Sequence, residues 1–233
     1  MLELVTSIEW IPFLLSFKLA GATTMILFTL SLPLAWYLSQ TEAKIKPFIE
    51  ALTALPIVLP PSVLGFYMLV LLSPSSAVGL WFQDLFDTQL LFSFTGLVVA
   101  SCFYSLPFMV QPLQSGFESL NKRMLEAAYI SGKSKWITVF QVALPNMKPA
   151  LMTALIITFA HTVGEFGVVL MVGGSIAGET KVASVAIYEM VEIMDYAGAH
   201  IYSALMIAMS FIVLLGVYIF NHRQRYKTGG LSS

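Results

Sequence analysis

Four polar side chains recur at helical spacing inside a long apolar stretch. They stand at positions i, i+3, i+4 and i+7, which a helix places on one face: Thr158, His161, Thr162 and Glu165. An imidazole and a carboxyl group on one face could relay protons, and the hydroxyl groups could bond to a neighbouring helix. Ionisable groups in apolar surroundings usually face an interior or a water-filled cavity. The stripe therefore favours a pore lining, with hydrogen bonds between helices as the alternative.

A second polar patch, residues 119–145, lies between two long apolar stretches. Asn121 can cap a helix, Gly132 can supply the left-handed residue that ends it, and Pro145 would end a second helix. The first helix would present the small pair Ala127-Ala128, a shape suited to insertion into a partner's groove. The alternative is a loop folded against its own bundle.

Sequence motifs for nucleotide binding, metal binding and nucleophilic catalysis are absent or incomplete. Residues 173–180 have the glycine spacing of a phosphate-binding loop, but Glu179 stands where a lysine must neutralise phosphate. The sequence has no Cys/His cluster with metal-ligand spacing and no serine-nucleophile elbow. We therefore expect no catalytic residue, no metal site and no ATP hydrolysis in this chain.

The composition places these patches in a membrane protein. Of the 233 residues, 58% are hydrophobic and only 11% are charged, which is incompatible with a fully hydrated surface. The net charge of -1 excludes a basic nucleic-acid binder. The lone cysteine, Cys102, can form no internal disulfide, and its expected role is packing.

Five apolar stretches are long enough to cross a bilayer, which needs roughly 20 helical residues. The sequence therefore predicts an all-α polytopic membrane bundle, with residues 1–233 forming a single domain. The predicted spans are approximately residues 11–38, 51–72, 90–113, 148–172 and 201–220.

The second predicted span contains the adjacent prolines Pro60 and Pro61. A proline removes a backbone donor, and irregular backbone at membrane depth is tolerated only against protein or a cavity. We therefore expect residues 55–61 to face the bundle interior. They would form a hinge or a pore wall, or simply a kinked packing helix.

Three hydroxyl groups of the third predicted span recur at helical spacing: Ser101, Tyr104 and Ser105. Hydroxyl groups inside a membrane bundle commonly bond across helices, each contact being worth about 1 kcal/mol. We expect these side chains to bond to a neighbouring helix.

Charge asymmetry predicts the orientation, because cytoplasmic loops of membrane proteins are enriched in basic residues. One side collects Lys44, Lys46, Lys122, Arg123, Lys133, Lys135, Lys148, Arg223, Arg225 and Lys227. The other side collects Glu3, Glu9, Asp84, Asp87, Glu179, Glu189, Glu192 and Asp195. With five spans, the N-terminus is expected outside, and the C-terminus and residues 119–145 in the cytoplasm.

The polar patch at residues 119–145 resembles the EAA motif of binding-protein-dependent ABC importer permeases. That motif reads Glu-Ala-Ala, three residues, Gly, nine residues, then Ile-x-Leu-Pro. The chain matches every spacing, with valine in place of isoleucine: Glu126, Ala127, Ala128, Gly132, Val142, Leu144 and Pro145. Residues 55–63 and the box Gly164-Glu165-Phe166-Gly167 further resemble the molybdate and tungstate permease branch, which is close to sulfate permeases.

The resemblance implies a type I ABC importer transmembrane domain in a bacterial or archaeal inner membrane. It implies a homodimeric pore, two cytoplasmic ATPase subunits that bind ATP-Mg, and an extracytoplasmic oxyanion-binding protein. The helix that carries Glu126 would be the coupling helix, seated in a cleft of the ATPase.

The resemblance also suggests a task for the polar stripe. His161 and the threonines could donate hydrogen bonds to a passing oxyanion, whereas a negative Glu165 would repel it and suits a gate or a bond between helices. The expected cargo is molybdate, with tungstate or sulfate possible. The alternative function is a self-contained channel or ion-coupled carrier that uses Glu165 and His161.

Overall fold

The computed structural model describes residues 8–229, with the side chains of residues 217 and 220–229 excepted. In this part of the chain the regular structure is entirely helical. The helices are α1 (Ile11–Gln40), α2 (Lys46–Val58), α3 (Pro61–Leu72), α4 (Ala77–Phe86), α5 (Phe94–Glu118), α6 (Lys122–Ile130), α7 (Lys135–Thr138), a π-helical turn (Val139–Ala143), α8 (Leu144–Asn146), α9 (Lys148–Val163), α10 (Gly167–Gly173), α11 (Ala183–Glu192) and α12 (Tyr196–Gly229). Glu3, one of the acidic residues used to predict the orientation, lies outside the described residues.

The centre of the bundle is formed by α1, α5 and α9, which pack against one another. Small residues allow close approach: a Cβ on Gly116 of α5 would lie 2.6 Å from the Ala150 Cβ of α9. The prolines inside α1 and α5, such as Pro33 and Pro107, do not break these helices. The outer elements α2, α10 and α12 pack around this three-helix centre.

Within residues 8–229, three helices are long and apolar enough to cross a membrane: Ile11–Gln40, Phe94–Glu118 and the Tyr196–Gly216 part of α12. Two bent helix pairs raise the number to five if each pair is one span. These two pairs are Lys46–Val58 with Pro61–Leu72, and Lys135–Asn146 with Lys148–Val163.

The predicted span 51–72 is not one continuous helix. Helices α2 and α3 meet at an angle of 111°. Leu59 and Pro60 have ψ angles of 133° and 139°, because a residue that precedes proline is driven out of the helical region. The sequence predicted a bend at these prolines, and the structure makes it a sharp corner.

The predicted span 148–172 is also interrupted. Helix α9 ends at Val163, and α10 starts at Gly167. Phe166 has φ and ψ angles of -129° and -60°, which are not helical. The Ser184 hydroxyl, which belongs to α11, donates a hydrogen bond of 2.7 Å to the Glu165 carbonyl. This bond satisfies a carbonyl group that the interrupted helix leaves without its usual partner.

Candidate functional site: the docking surface and the polar stripe

The helix that carries the Glu-Ala-Ala motif is α6. The Asn121 side chain caps it by accepting a hydrogen bond of 3.0 Å from the Arg123 amide. It ends before Gly132, whose φ of +78° requires the left-handed conformation that glycine adopts at little cost. The predicted cap and end of this helix are therefore confirmed.

Helix α6 is anchored on one face and exposed on the other. Leu125 and Ala128 are buried against the bundle, whereas Glu126 and Ala127 are exposed. The expectation that both alanines are presented to a partner is wrong for Ala128. Residues 125 and 128 are one helical turn apart, so they share the inward face.

Helix α6 and the segment that follows it carry several exposed apolar side chains in addition to Glu126. Ile130 is 88% exposed, and four further large apolar side chains of α6, α7 and the π-helical turn are also exposed: Tyr129, Trp136, Ile137 and Phe140. We call this set, with Glu126 and Ala127, the docking surface. Exposed apolar side chains collected in one short stretch of a chain are typical of a site that another surface covers.

The second half of the motif anchors this region instead of extending it. Leu144 is half-buried and packs against the cluster that contains Met147, while Pro145 is exposed. The sequence predicted that Pro145 ends the second helix, and this prediction is wrong. Pro145 occupies the first turn of α8, where a backbone N–H group would have no partner within the helix and proline is tolerated. The chain turns at Met147, whose φ and ψ angles are -111° and 23°.

The polar stripe of α9 faces α5. Thr158, Thr162 and Glu165 are 0%, 2% and 4% exposed, so they line no water-filled surface in this conformation. The Thr162 and Ser105 hydroxyl oxygens lie 2.9 Å apart, and Ser105 also lies 3.0 Å from Nδ1 of His161. Hydrogen bonding between helices, the alternative to a pore lining, accounts for Thr162 and His161. The expected interhelical bond of Ser105 is confirmed.

The protons in this network can be assigned by counting. Thr162 has one hydroxyl proton, which it donates to the Thr158 carbonyl at 2.9 Å. Ser105 must therefore donate to Thr162, and the Ser105 oxygen can then only accept from His161. The neutral His161 ring carries its proton on Nδ1, so Nε2 is left as an acceptor. A neutral His161 consequently has no free N–H to offer an oxyanion.

Two features distinguish the C-terminal end of the stripe. The His161 ring stacks on Phe108 with ring centroids 4.0 Å apart, which fixes its orientation. Both carboxyl oxygens of Glu165 are buried, with no hydrogen-bond partner among the described residues. Glu165 lies in the interruption between α9 and α10, and its side chain is buried there.

The predicted hinge contacts the Gly164–Gly167 box. A Cβ placed on Gly167 would lie 2.9 Å from the Pro61 Cβ, so glycine is needed for this approach. Pro60 and Pro61 are nonetheless exposed, and Val58 is 81% exposed. Within one chain, residues 55–61 are therefore not covered by the rest of the bundle, and the expectation that they face the bundle interior stays a prediction. An apolar corner without cover within one chain requires lipid or a second protein surface.

One polar group was not singled out by the sequence. Gln114 of α5 donates hydrogen bonds to Glu50 of α2 at 2.6 Å and to Glu118 at 3.0 Å. Lys46 lies 3.3 Å from Glu118 and 3.7 Å from Glu50. The spacing of Gln111, Gln114, Ser115 and Glu118, again i, i+3, i+4 and i+7, is the signal that could have revealed this second stripe.

Solved structures with the same architecture are ABC importers. The chain superposes with a TM-score of 0.71 on a bacterial ABC transporter involved in the import of the acidic polysaccharide alginate, at 18% identity, covering 96% of this chain and 79% of that one. It superposes with a TM-score of 0.69 on the MetNI methionine ABC transporter, at 16% identity, covering 88% and 91%. The predicted fold, an all-α ABC importer transmembrane domain, is confirmed.

Curated relatives are permeases. The chain is 47% identical to the molybdenum transport system permease protein ModB of Azotobacter vinelandii, covering 92% of this chain and 94% of the relative. It is 29% identical to ModB of Escherichia coli, covering 91% and 93%, and 32% identical to the sulfate permease CysT of that organism, covering 79% and 66%.

The family model for binding-protein-dependent transport system inner membrane components matches residues 28–226. This match includes the docking surface, the polar stripe and the corner at Pro60 and Pro61. The chain therefore belongs to the family of binding-protein-dependent transport system inner membrane components.

Proposed function

We propose that this chain is the permease subunit of an ATP-driven importer that carries molybdate across the inner membrane into the cytoplasm. The observation that carries the proposal is the 47% identity to a molybdenum permease along nearly the whole length of both chains. Permeases of the same family that are named for sulfate are also similar to this chain, at 31–33% identity. Sulfate is therefore the second candidate cargo, and tungstate, which resembles molybdate in shape and charge, is the third.

In each copy of the permease, the docking surface would bind one cytoplasmic ATPase subunit. Two copies would therefore bind two ATPase subunits. Ile130 and Tyr129 offer apolar area, Ala127 permits close approach, and Glu126 can pair with a basic group of the ATPase. ATP-Mg would be bound by the ATPase alone. The permease would supply the pathway and no catalytic residue.

The attachment of α6 to the bundle would make the transmission mechanical. Leu125 of α6 and Val139 of the π-helical turn belong to the same buried cluster as Phe117 of α5 and Leu27 of α1. Such close-packed contacts transmit displacement because they cannot be compressed. A movement of α6 would therefore carry the inner ends of α1 and α5 with it. It would shift the equilibrium only if the ATPase contacts differ between the two states.

The uncovered corner at Pro60 and Pro61 supports a homodimer. Helices α2 and α3 expose large apolar side chains around it, including Leu52, Val58 and Phe66. Two copies meeting along this face would enclose a passage between them, with the prolines in its wall. The acidic outer face would then receive the extracytoplasmic oxyanion-binding protein, with the N-terminus outside and the C-terminus inside.

The structure narrows the part of the α9 stripe that could contact cargo. Thr158, Thr162 and Glu165 are buried, and His161 is half-buried. Within the stripe, His161 is thus the residue that could touch a passing oxyanion, and it could donate a hydrogen bond only as an imidazolium. A pathway that must release its cargo needs no tight site.

Co-purification tests the docking surface. We expect Glu126→Lys to insert normally in the membrane but to lose the ATPase subunits and ATP-dependent molybdate uptake. The matched control is Glu42→Lys, which reverses an exposed charge on the same predicted side but outside α6. Retention of the ATPase by Glu126→Lys, with uptake intact, would refute the coupling role.

The cargo is tested on the reconstituted importer with its binding protein. Uptake and stimulation of ATP hydrolysis are measured with molybdate, tungstate and sulfate at equal concentrations. We expect molybdate to give the lowest half-saturating concentration. Preference for sulfate would select the second candidate, and transport without any ATPase would favour a self-contained carrier.

A further inference from the structure

The interruption between α9 and α10, residues 164–166, contains two residues whose types are not explained by their contacts. Gly164 directly follows the last residue of α9, and Glu165 comes next. The proposed function gives neither residue a task.

The Glu165 side chain is buried without compensation. It is 4% exposed, and neither of its carboxyl oxygens has a hydrogen-bond partner in the described part of the chain. It takes part in none of the ion pairs found among the described residues. The nearby Ser101 hydroxyl group of α5 is also buried and makes no hydrogen bond.

Such burial costs free energy whatever the charge of the group. An ionised carboxylate loses its hydration, and a neutral carboxylic acid loses the hydrogen bonds that water would make with it. Replacing buried ionisable groups by apolar groups of similar volume is often stabilising for this reason. Glu165 therefore raises the free energy of the arrangement seen here relative to one in which its carboxyl group reaches water or a donor.

Gly164 is a glycine that this arrangement does not require. Its φ and ψ angles are -84° and 0°, which other residues also adopt. A Cβ placed on it would meet the carbonyl oxygens of Ala160 and His161 at 3.7 and 3.8 Å, which are ordinary contact distances. Gly167 differs, since its Cβ would lie 2.9 Å from that of Pro61. The conformational freedom of Gly164 would therefore be used only in a second arrangement of the interruption.

The interruption separates α9 from a short helix that is held by other elements. Helix α10 has seven residues and packs against α3 and α5. The contact with α3 is close, because a Cβ on Gly65 would lie 2.9 Å from the Met171 sulfur. Any change of angle between α9 and α10 must pass through residues 164–166, and so it displaces the Glu165 side chain.

We propose that residues 164–166 are a joint at which α10 changes its angle to α9 during transport, and that the buried Glu165 carboxyl group favours reopening of this joint. The proposal rests on the proposed function, since it concerns one step of the transport cycle. Glu165 is a positioning residue here: it contacts no cargo and shifts the equilibrium between two arrangements. Gly164 permits the backbone of both arrangements. A cycle that must visit both states is slowed when one of them is made too stable.

Thermal unfolding and transport together test Glu165. Glu165→Met roughly conserves the side-chain volume and removes both unpartnered oxygens. In the detergent-solubilised importer, we expect the unfolding temperature of the permease to rise by about 2–4 °C. In the importer reconstituted with its binding protein, we expect ATP-driven molybdate uptake to fall about fivefold, with the ATPase still bound. A residue with a purely structural role would not combine higher stability with slower uptake.

The matched control is Thr162→Val, which also replaces a buried polar group of the same stripe by an apolar one. The Thr162 hydroxyl group is hydrogen-bonded to Ser105 and to the Thr158 carbonyl, so we expect this variant to lower the unfolding temperature. An unchanged or lower unfolding temperature for Glu165→Met, or full uptake, overturns the proposal. A rise for Thr162→Val as well would show that the unpartnered state of Glu165 is not the cause, with the same consequence.

A second pair of variants tests the joint independently of Glu165. Gly164→Ala and Gly21→Ala each add a Cβ that has room in this structure. We expect neither variant to lower the unfolding temperature, and only Gly164→Ala to slow uptake. Full uptake by Gly164→Ala, or a lower unfolding temperature for it, refutes the joint.

Failure of the proposed function is distinguishable from failure of this inference. An unchanged protein that transports no oxyanion with its ATPase and binding protein refutes the function, whereas the unfolding temperatures do not depend on any cargo. Normal molybdate uptake by the unchanged protein and by both the Glu165→Met and Gly164→Ala variants refutes the joint alone.

Discussion

Ser105 of α5 is a single hydroxyl group that serves two partners on α9, His161 and Thr162. Removing this hydroxyl group leaves the Nδ1–H group of His161 without an acceptor. It also removes the hydrogen bond that the Thr162 hydroxyl oxygen accepts from Ser105. A buried group left unsatisfied costs about 1–3 kcal/mol.

We therefore expect Ser105→Ala to lower the thermal unfolding temperature of the detergent-solubilised protein. The matched control is Ser115→Ala, ten residues along the same helix but exposed, which should leave the unfolding temperature unchanged. Equal unfolding temperatures for both variants would show that the contacts of Ser105 contribute no stability.

At the residue scale the sequence predicts types of contact better than partners. Helical spacing was sufficient to predict that Ser105 bonds to a neighbouring helix. It was not sufficient to tell a pore lining from an interhelical contact for Thr158 and Thr162, because periodicity places residues on a face without saying what covers that face. The bond between Glu50 and Gln114 joins residues 64 positions apart, a distance over which local pattern carries no information.

At the scale of elements, the crossing of α5 and α9 depends on Gly116. An added Cβ would lie 2.6 Å from both the Ala150 Cβ and the Met147 Cε. The first of these atoms is fixed to the backbone, so α9 itself must shift. Overpacking of this kind typically costs about 1–3 kcal/mol.

We expect Gly116→Val to lower the unfolding temperature and, because α9 follows the docking region, to reduce ATP-driven uptake. Gly21→Ala in α1 is the control, since nothing lies within 4 Å of its added Cβ. Alanine also favours a helix over glycine by about 0.5–1 kcal/mol, so the control should be neutral or stabilising. A destabilised Gly21→Ala together with an unaffected Gly116→Val would contradict the close crossing.

Breaks between elements were predictable where proline causes them. The corner between α2 and α3 follows from Pro60 and Pro61, whose effect on the preceding residue is local. The interruption between α9 and α10 was not predicted, and the Glu165 carbonyl at this break accepts its hydrogen bond from Ser184, which lies 19 residues away in sequence. The π-helical turn at Val139–Ala143 was missed for a similar reason: its two end residues, Val139 and Ala143, are buried in a cluster to which four other elements contribute.

At the scale of the whole molecule, the orientation can be measured with single cysteines. In a Cys102→Ala background, Ala43→Cys lies on the predicted cytoplasmic side and Ala177→Cys on the outer side, and both positions are exposed. We expect a membrane-impermeant maleimide to label Ala177→Cys on intact cells, and Ala43→Cys only after the membrane is opened. The reversed pattern would invert the orientation inferred from charge.

The fold class and the family could be predicted from the sequence because they depend on average hydrophobicity and on short spacings between residues. Apolar stretches indicate a membrane bundle, and the Glu126-to-Pro145 spacing indicates the family. The arrangement of the helices within the bundle could not be predicted from the sequence, because it is determined by which helix faces meet. Helix α2 illustrates this: its mean composition is that of a buried helix, yet Thr53 alone among its residues is buried in the chain.

The exposure of α2 and α3 has a consequence for the life of the protein in the cell. In the homodimer that we propose, a newly inserted copy that has not yet met its second copy would display this apolar corner to the lipid. The Leu59 amide and the Pro60 carbonyl are hydrogen-bonded within the chain, so the corner is exposed through its side chains and not through unpaired backbone. The surface that would close the passage is thus also the surface by which an unassembled subunit would differ from an assembled one.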